Sequence, residues 1–341
     1  MANLTVAGVT SVVIGEGLPE LLLPERSGRR RVALLTQPAA TTRALEIAGR
    51  LEADGLICEV IGLPDRDEAK TLEVAMSVYE DLARLGLNRD DTVAGVGGGS
   101  VTDLAGYVAG TWLRGVEVVH FPTTLLGAVD ASIGGKTGVN LAGKNLVGVI
   151  WHPTRVVIDT VLLEKLPVAL LREGMAEAFK AGLIGDEALC DLLRDTGLDA
   201  PLPNVIERAV AVKARIVTGD EREFGERVFL NFGHTVGHAI EFASPLSHGE
   251  SVSLGMVSAS HVSERVHGFS GVGMVSATLT RLGLPTTVVG LDTARVRDLL
   301  EVDKKRDGEG LRMVLLKEVG EPILNHVDPG DIEAGLAAVG L

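Results

Sequence analysis

The sequence predicts an α/β N-terminal nucleotide-binding domain followed by a mostly α-helical domain. Three observations carry that expectation. The first part of the chain alternates short apolar runs with segments of helical spacing. From Pro167 onward helical spacing dominates. Between the two patterns of the first part, Gly97-Gly98-Gly99-Ser100 sits where an apolar run passes into a helix. Repeated strand–helix units make a parallel sheet covered by helices. Glycine at such a turn lets backbone N–H groups reach a phosphate at a helix N-terminus.

Taken in order, strands are predicted at 31–36 (RVALLT), 56–61 (LICEVI), 92–96 and 116–121. Helices are predicted between them at 41–53, 71–85 and 101–112, where apolar residues recur at three and four. After about Asp159 the pattern changes, and helices are expected at 168–195, 203–219, 226–242, 248–267, 272–283 and 292–302. Weak strand signals return at 311–316 and 323–327. We therefore expect residues 1–165 to form the nucleotide-binding domain and residues 166–341 the helical one. Sites in such proteins usually lie in the cleft between domains.

Composition narrows the function classes. The chain has 341 residues, 46% of them hydrophobic and 23% charged, enough for two packed cores. Its formal net charge of −14 argues against general binding to nucleic acid or an anionic membrane. Cys58 and Cys190 stand in unrelated contexts, and neither a disulfide framework nor a Cys-x-x-Cys knuckle is present. No signal peptide and no membrane-spanning run is expected, so a cytoplasmic enzyme with reduced thiols is the expectation.

Several stretches carry chemistry. His234 and His238 stand four apart, one turn above the other on a helix, and His248 follows a break at Ser244-Pro245. That is either half of a metal site or a set of partner-bonded histidines. Glu177 and Lys180 stand three apart on an otherwise apolar helix, where a carboxylate needs a partner: the lysine, or a metal held by histidines. The glycine turn is not the dinucleotide fingerprint, because Ser100 stands where the third glycine belongs and the turn follows the third predicted strand. It is a phosphate cradle or a tight turn. The 130–145 stretch, DASIGGKTGVNLAGKN, presents Lys136 and Lys144 from a Gly-rich backbone without P-loop spacing, as an anion contact or a solvated loop. Arg227, Asn231 and His234 step along what reads as roughly one helix face, and Asp303-Lys304-Lys305 is a basic pair before a turn at Gly308; each alone reads as solvated charge rather than a ligand.

The motifs GGGSVTDLAG, RGVEVVHFPTTLL, VDASIGGKTG, GKNLVG, GMAEAFKAGLI, LNFGHTVGHAIE, HGE and DKK occur in that order. On these the chain resembles the 3-dehydroquinate synthases, the sugar-phosphate cyclases of the shikimate pathway. The resemblance runs from Gly97 to about Lys305.

The resemblance implies an NAD- and zinc-dependent homodimer (cobalt can replace zinc) acting on DAHP, a keto-acid phosphate. It implies zinc ligands at Glu177, His234 and His248, with His238 facing substrate. It places NAD near Asp67, Lys70, Gly98, Gly99, Ser100, Asp103, Thr123, Thr124, Lys136 and Lys144. Around the substrate it places Asp130, Lys136, Asn145, Lys180, Lys213, Glu223, Arg227, Asn231, His238 and Lys304. Arg114 is implied to reach the phosphate of the neighbouring subunit. The implied reaction oxidises one carbinol with NAD, eliminates phosphate, returns the hydride and closes the ring by an intramolecular aldol step. Lys and Arg gathered on an acidic chain then make sense as a local pocket for a carboxylate and a phosphate.

The sequence departs from the family at Leu35-Thr36-Gln37, where an acidic ribose contact is common. Asp67 or Glu68 is the acidic residue left for that role. Lys165 and Glu173 stand where Thr and Asn are common. Competing readings are a related cyclase such as aminodehydroquinate synthase, a metal-dependent polyol dehydrogenase that would release NADH, and a non-catalytic relative that would have lost metal ligands.

Overall fold

A computed structural model describes residues 2–20, 22–24, 30–141, 143–307 and 311–341, with side chains at all of these except 302–307. The chain divides into two compact units, Met1–Leu166 and Pro167–Leu341.

The first unit runs β1 (Ala2–Val6), β2 (Thr10–Gly15), β3 (Arg31–Thr36), α1 (Thr41–Ala53), β4 (Ile57–Gly62), α2 (Leu72–Leu85), β5 (Thr92–Gly97), α3 (Gly99–Thr111), β6 (Glu117–Pro122), β7 (Lys136–Val139), β8 (Val147–Ile150), β9 (Arg155–Asp159) and α4 (Thr160–Leu163). Seven strands form one sheet in the order β1-β2-β9-β6-β5-β3-β4. Every pairing is parallel except β1 with β2. Val32, Ala33, Leu34 and Leu35 of β3 are all inaccessible to solvent. A strand covered on both faces reads as a continuous apolar run, which is why RVALLT is legible. The apolar faces of α2 and α3 cover one side of the sheet, and α1 covers the other.

β3 pairs with β4 on one side and with β5 on the other. The chain thus reverses direction across the sheet between β3 and β5. Ligands of open α/β sheets bind at the carboxyl ends of strands at such a reversal. The glycine turn follows β5, so its place after the third predicted strand is where this topology has its crevice.

The 130–145 stretch is not one loop. Residues Gly127–Ala131 form a π-helical turn, and Lys136–Val139 pairs antiparallel with Val147–Ile150. This hairpin lies on α3: a Cβ on Gly106 would fall 2.2 Å from Thr137 Cγ2.

The second unit runs α5 (Val168–Gly185), α6 (Glu187–Thr196), α7 (Leu202–Gly219), α8 (His234–Ala243), α9 (His248–His267), α10 (Val272–Arg281), α11 (Thr293–Asp307), β10 (Arg312–Leu316), β11 (Pro322–His326) and α12 (Pro329–Ala338). β10 and β11 form an antiparallel pair. Helix α9 is its centre, with α5, α8, α10, α12 and β10 packed around it.

Two expected helices are each two elements. The helix expected at 168–195 breaks at Asp186, which leaves helical geometry (φ −152°) and caps α6 by accepting from Leu189 N at 3.2 Å. The helix expected at 226–242 is a 3₁₀ segment, Glu226–Asn231, then α8. Gly233 separates them with φ +78°. Any side chain there would collide with α9, since a Cβ would lie 2.7 Å from Met256 Cγ and 2.8 Å from Met256 N. Arg227, Asn231 and His234 therefore do not share one helix face. Among the described residues no helix is long and apolar enough to cross a membrane.

Candidate metal and substrate site

Helix α5 buries two charges among apolar residues: Glu177 is 2% exposed and Lys180 3%. A buried charge persists only with partners. Lys180 Nζ makes an ion pair with Glu177 Oε2, and the other oxygen, Oε1, lies 3.5 Å from His234 Nε2 and 3.3 Å from His248 Nε2. The two readings of Glu177 left open by its sequence thus coexist, one on each carboxylate oxygen.

Both histidines are first residues of helices, and each is aimed by its local structure. His234 follows the left-handed Gly233, and its Nδ1 lies 3.2 Å from Phe232 O. His248 follows Ser247, which closes a capping box with Glu250: Glu250 N donates to Ser247 Oγ at 3.4 Å, and Ser247 N to Glu250 Oε2 at 2.9 Å. Its Nδ1 lies 3.3 Å from Glu241 Oε2. With both Nδ1 atoms held, both Nε2 atoms face Glu177.

One ligand atom each from Glu177, His234 and His248 lies within 4.8 Å of the other two. Donors around a tetrahedral ion, about 2.1 Å from it, stand roughly 3.4 Å apart. The separations and the two-imidazole, one-carboxylate chemistry fit a divalent metal with coordination room left over. His238, one turn along α8, is exposed and outside this group, with its ring centre 5.0 Å from that of His234 and 6.3 Å from that of His248.

Titration follows the same geometry. Burial would raise the Glu177 carboxyl, but Lys180, His234 and His248 hold it well below the usual carboxylate range. Burial, with Lys180 adding to it, lowers His234 to about 3. Burial also opposes charge on His248, yet hydrogen bonds to Glu177 and Glu241 raise it to about 10.

Beside these helices lies the 220–231 stretch, packed on α7 and α5. Asp220 stitches it by accepting from Phe224 N at 3.0 Å, Gly225 N at 2.7 Å and Arg227 N at 3.1 Å. Asn231 Nδ2 donates to Glu223 Oε1 at 2.9 Å. Arg227 is 1% exposed and donates to Glu221 O, and Lys213 on α7 is 7% exposed. The Lys304 side chain lies outside the described residues.

In the first unit, Gly98 is the N-cap of α3 and offers no capping side chain, while Val101 N and Thr102 N each donate to Gly98 O at 3.1 Å. Gly98 packs on Thr124, with 3.2 Å between its would-be Cβ and Thr124 Cγ2, and Thr123 N donates to Gly97 O at 2.9 Å. Lys70 Nζ donates to Asp103 Oδ2 at 2.6 Å and to Asn145 Oδ1. Ser100 Oγ donates to Asp67 Oδ1 at 2.9 Å, and Lys144 Nζ lies 3.9 Å from Asp67 Oδ2. Of the two acidic candidates, Asp67 is thus tied to the glycine turn. Asp130 sits in the π-helical turn, and Lys136 is exposed at the start of β7. Lys165 is exposed and Glu173 half-buried.

Three implied site residues, Arg114, Asn145 and Glu223, have positive φ of 67°, 57° and 63° without being glycine. Left-handed backbone at ordinary residues costs energy and clusters at functional sites.

Two family models match this chain: the 3-dehydroquinate synthase N-terminal domain over residues 60–173 and its C-terminal domain over 174–306. A 3-dehydroquinate synthase of Mycolicibacterium vanbaalenii is 42% identical over 340 residues, 96% of this chain and 95% of that one. The chain belongs to the 3-dehydroquinate synthase family. A 2-deoxy-scyllo-inosose synthase solved with carbaglucose-6-phosphate, NAD+ and Co2+ superposes with TM-score 0.87 at 26% identity, covering all of both chains. The 2-epi-5-epi-valiolone synthase of Streptomyces hygroscopicus subsp. jinggangensis, with NAD+ and Zn2+ bound, gives TM-score 0.82 at 28% identity over 91% of this chain and 90% of that one.

Within this family fold, sequence reasoning passed over the groups that aim the histidines. Glu241 stands seven residues after His234, two turns along the same helix face, and that spacing was the available signal. The Ser247–Glu250 box left its signal in the capping pattern Ser-x-x-Glu, and the Phe232 carbonyl, a backbone group, left none.

Proposed function

We propose that this chain is a 3-dehydroquinate synthase, converting DAHP to 3-dehydroquinate and phosphate. The observation that carries the reading is 42% identity along 96% of the chain to an enzyme of that name, with Glu177, His234 and His248 converging as a ligand set. Glu177, His234 and His248 would hold a zinc or cobalt ion, and the uncapped α3 turn at Gly98, Gly99 and Ser100, with Asp67, Lys70, Asp103, Thr123, Thr124 and Lys144, would hold NAD. When bound, NAD takes and returns one hydride while the metal acidifies the carbinol hydroxyl at the same carbon.

The chain's own residues supply binding and charge. Lys213 and Arg227 are cations inside an acidic protein and suit the substrate carboxylate; Arg binds it through a planar fork of donors. Lys180 is already matched by Glu177, so its ammonium can turn a remaining proton to a substrate oxygen without leaving a bare charge. His238 and Asn231, beside the metal group and on the stitched 220–231 stretch, orient the hydroxyls. Asp130, Lys136, Asn145 and Glu223 complete the substrate set, with Lys304. Since DAHP carries its own phosphate, no dedicated strong base is required of the protein for its elimination.

We further propose a homodimer in which Arg114 reaches the neighbour's phosphate. Its support is an exposed arginine held at φ 67° beside Leu113 at 51°, a strained turn at the surface.

The test is phosphate release from DAHP with NAD far below substrate. The reading expects many phosphates per NAD and no lasting NADH absorbance. NADH build-up without phosphate points to a polyol dehydrogenase. Equal turnover of a heptulose phosphate lacking the carboxylate would remove the role given to Lys213 and Arg227.

A further inference from the structure

The two histidines of the metal group are not held alike. His234 Nδ1 lies against a neutral backbone carbonyl, Phe232 O, at 3.2 Å. His248 Nδ1 lies against a carboxylate, Glu241 Oε2, at 3.3 Å. Glu241 is on α8, the helix that begins with His234, and its side chain is 13% exposed. One helix therefore contributes a metal-group histidine from its first turn and, two turns on, the group that holds the other histidine. α8 and α9 also touch at backbone distance through Gly233, Gly237 and Gly255, so the reach from Glu241 to His248 is short and fixed.

A carboxylate on the far nitrogen of a metal-bound imidazole does three things. It selects the tautomer that leaves Nε2 free, it fixes the ring plane, and it makes Nε2 a stronger donor. A carbonyl does the first two and little of the third. We propose that Glu241 is a positioning residue whose negative charge strengthens His248 as a metal ligand, acting through His248 Nδ1 without touching substrate. The inference rests on the metal reading of Glu177, His234 and His248, and it adds an asymmetry: His248 is the strongly donating imidazole and His234 the weaker one.

The test uses the full-length chain loaded with Co2+. Affinity is measured by competition with a chelator of known strength, and the visible Co2+ absorption is recorded. Glu241→Gln keeps the shape and an acceptor oxygen but removes the charge; Glu241→Ala removes both. Loss of such a partner typically weakens metal binding by roughly 10–100-fold. We expect a loss in that range for Glu241→Ala, a smaller but clear loss for Glu241→Gln, and shifted Co2+ bands in both. Glu177→Gln and His248→Ala serve as controls that remove a ligand. If both controls lose the metal while Glu241→Gln keeps wild-type affinity and an unshifted spectrum, the inference is overturned and the metal reading stands. If the controls bind Co2+ as wild type does, the metal reading falls and the inference with it. Should Glu241→Ala not fold, Glu241→Gln alone decides, because the claim is about charge.

Discussion

Gly255 packs against Gly233 so closely that a Cβ on Gly255 would lie 1.9 Å from Gly233 O. The contact sets the spacing of α8 and α9, and with it the distance between the helix starts that carry His234 and His248. Gly255→Ala forces backbone apart and should cost about 1–3 kcal/mol as an overpacking change. It should also weaken zinc binding more than tenfold, as read by chelator competition. Gly273→Ala, at an exposed helical glycine with open space around it, is the control and should stabilise by about 0.4–1 kcal/mol.

Glu177→Gln separates the two jobs of that carboxylate. Without metal, Lys180 is left buried with its partner neutralised, which should destabilise by about 3–5 kcal/mol in denaturant titrations. With metal, wild-type protein at 100 times its Kd should gain about 2.7 kcal/mol, and the variant should gain almost none. A variant still stabilised by zinc would remove Glu177 from the ligand set.

The pH dependence of metal uptake follows from His248. Its folded pKa of about 10 lies above the ordinary 6.5, so without metal its proton contributes stability in full below pH 6.5, and that contribution is lost as pH rises toward 10. His234, lowered to about 3, is already neutral. Metal binding near neutrality should therefore release about one proton, and affinity should rise about tenfold per pH unit. Calorimetry in two buffers of different ionisation enthalpy counts the proton; a count of zero would contradict the assignment of His248.

His120 on β6 carries the opposite sign. It is 2% exposed, its Nδ1 has no hydrogen-bond partner among the described residues, and burial lowers it to about 3. The unfolded chain takes up a proton near pH 6.5 that the folded one refuses, so stability falls as pH drops from 6.5 toward 3. Between pH 6.5 and 5 the loss should be on the order of 2 kcal/mol. In His120→Gln that acid limb should flatten by a similar amount in urea titrations at the two pH values.

The fold was legible where burial writes a simple period. β3 is apolar throughout because both its faces are covered, and α9 fills the 248–267 span that its helical spacing marks. The hairpin at 136–139 and 147–150 was hidden because its glycines serve close packing, which in sequence resembles a loop: a Cβ on Gly148 would lie 2.3 Å from Thr137 O. The break at Gly233 was hidden for a related reason. Its cause is Met256, on another helix, and no local pattern reports it. The site was legible in its residue types and not in its geometry. The spacing of His234 and His238 does not report Glu177 or His248, because what brings His234 to Glu177 and His248 is the packing of α5 and α8 against α9.

The most direct measurement is anomalous diffraction at the zinc edge from crystals of the zinc-loaded protein. One strong peak is expected within bonding distance of Glu177 Oε1, His234 Nε2 and His248 Nε2, with the His238 ring clear of it. A peak bound by His238, or one that leaves Glu177 on Lys180 alone, would contradict it.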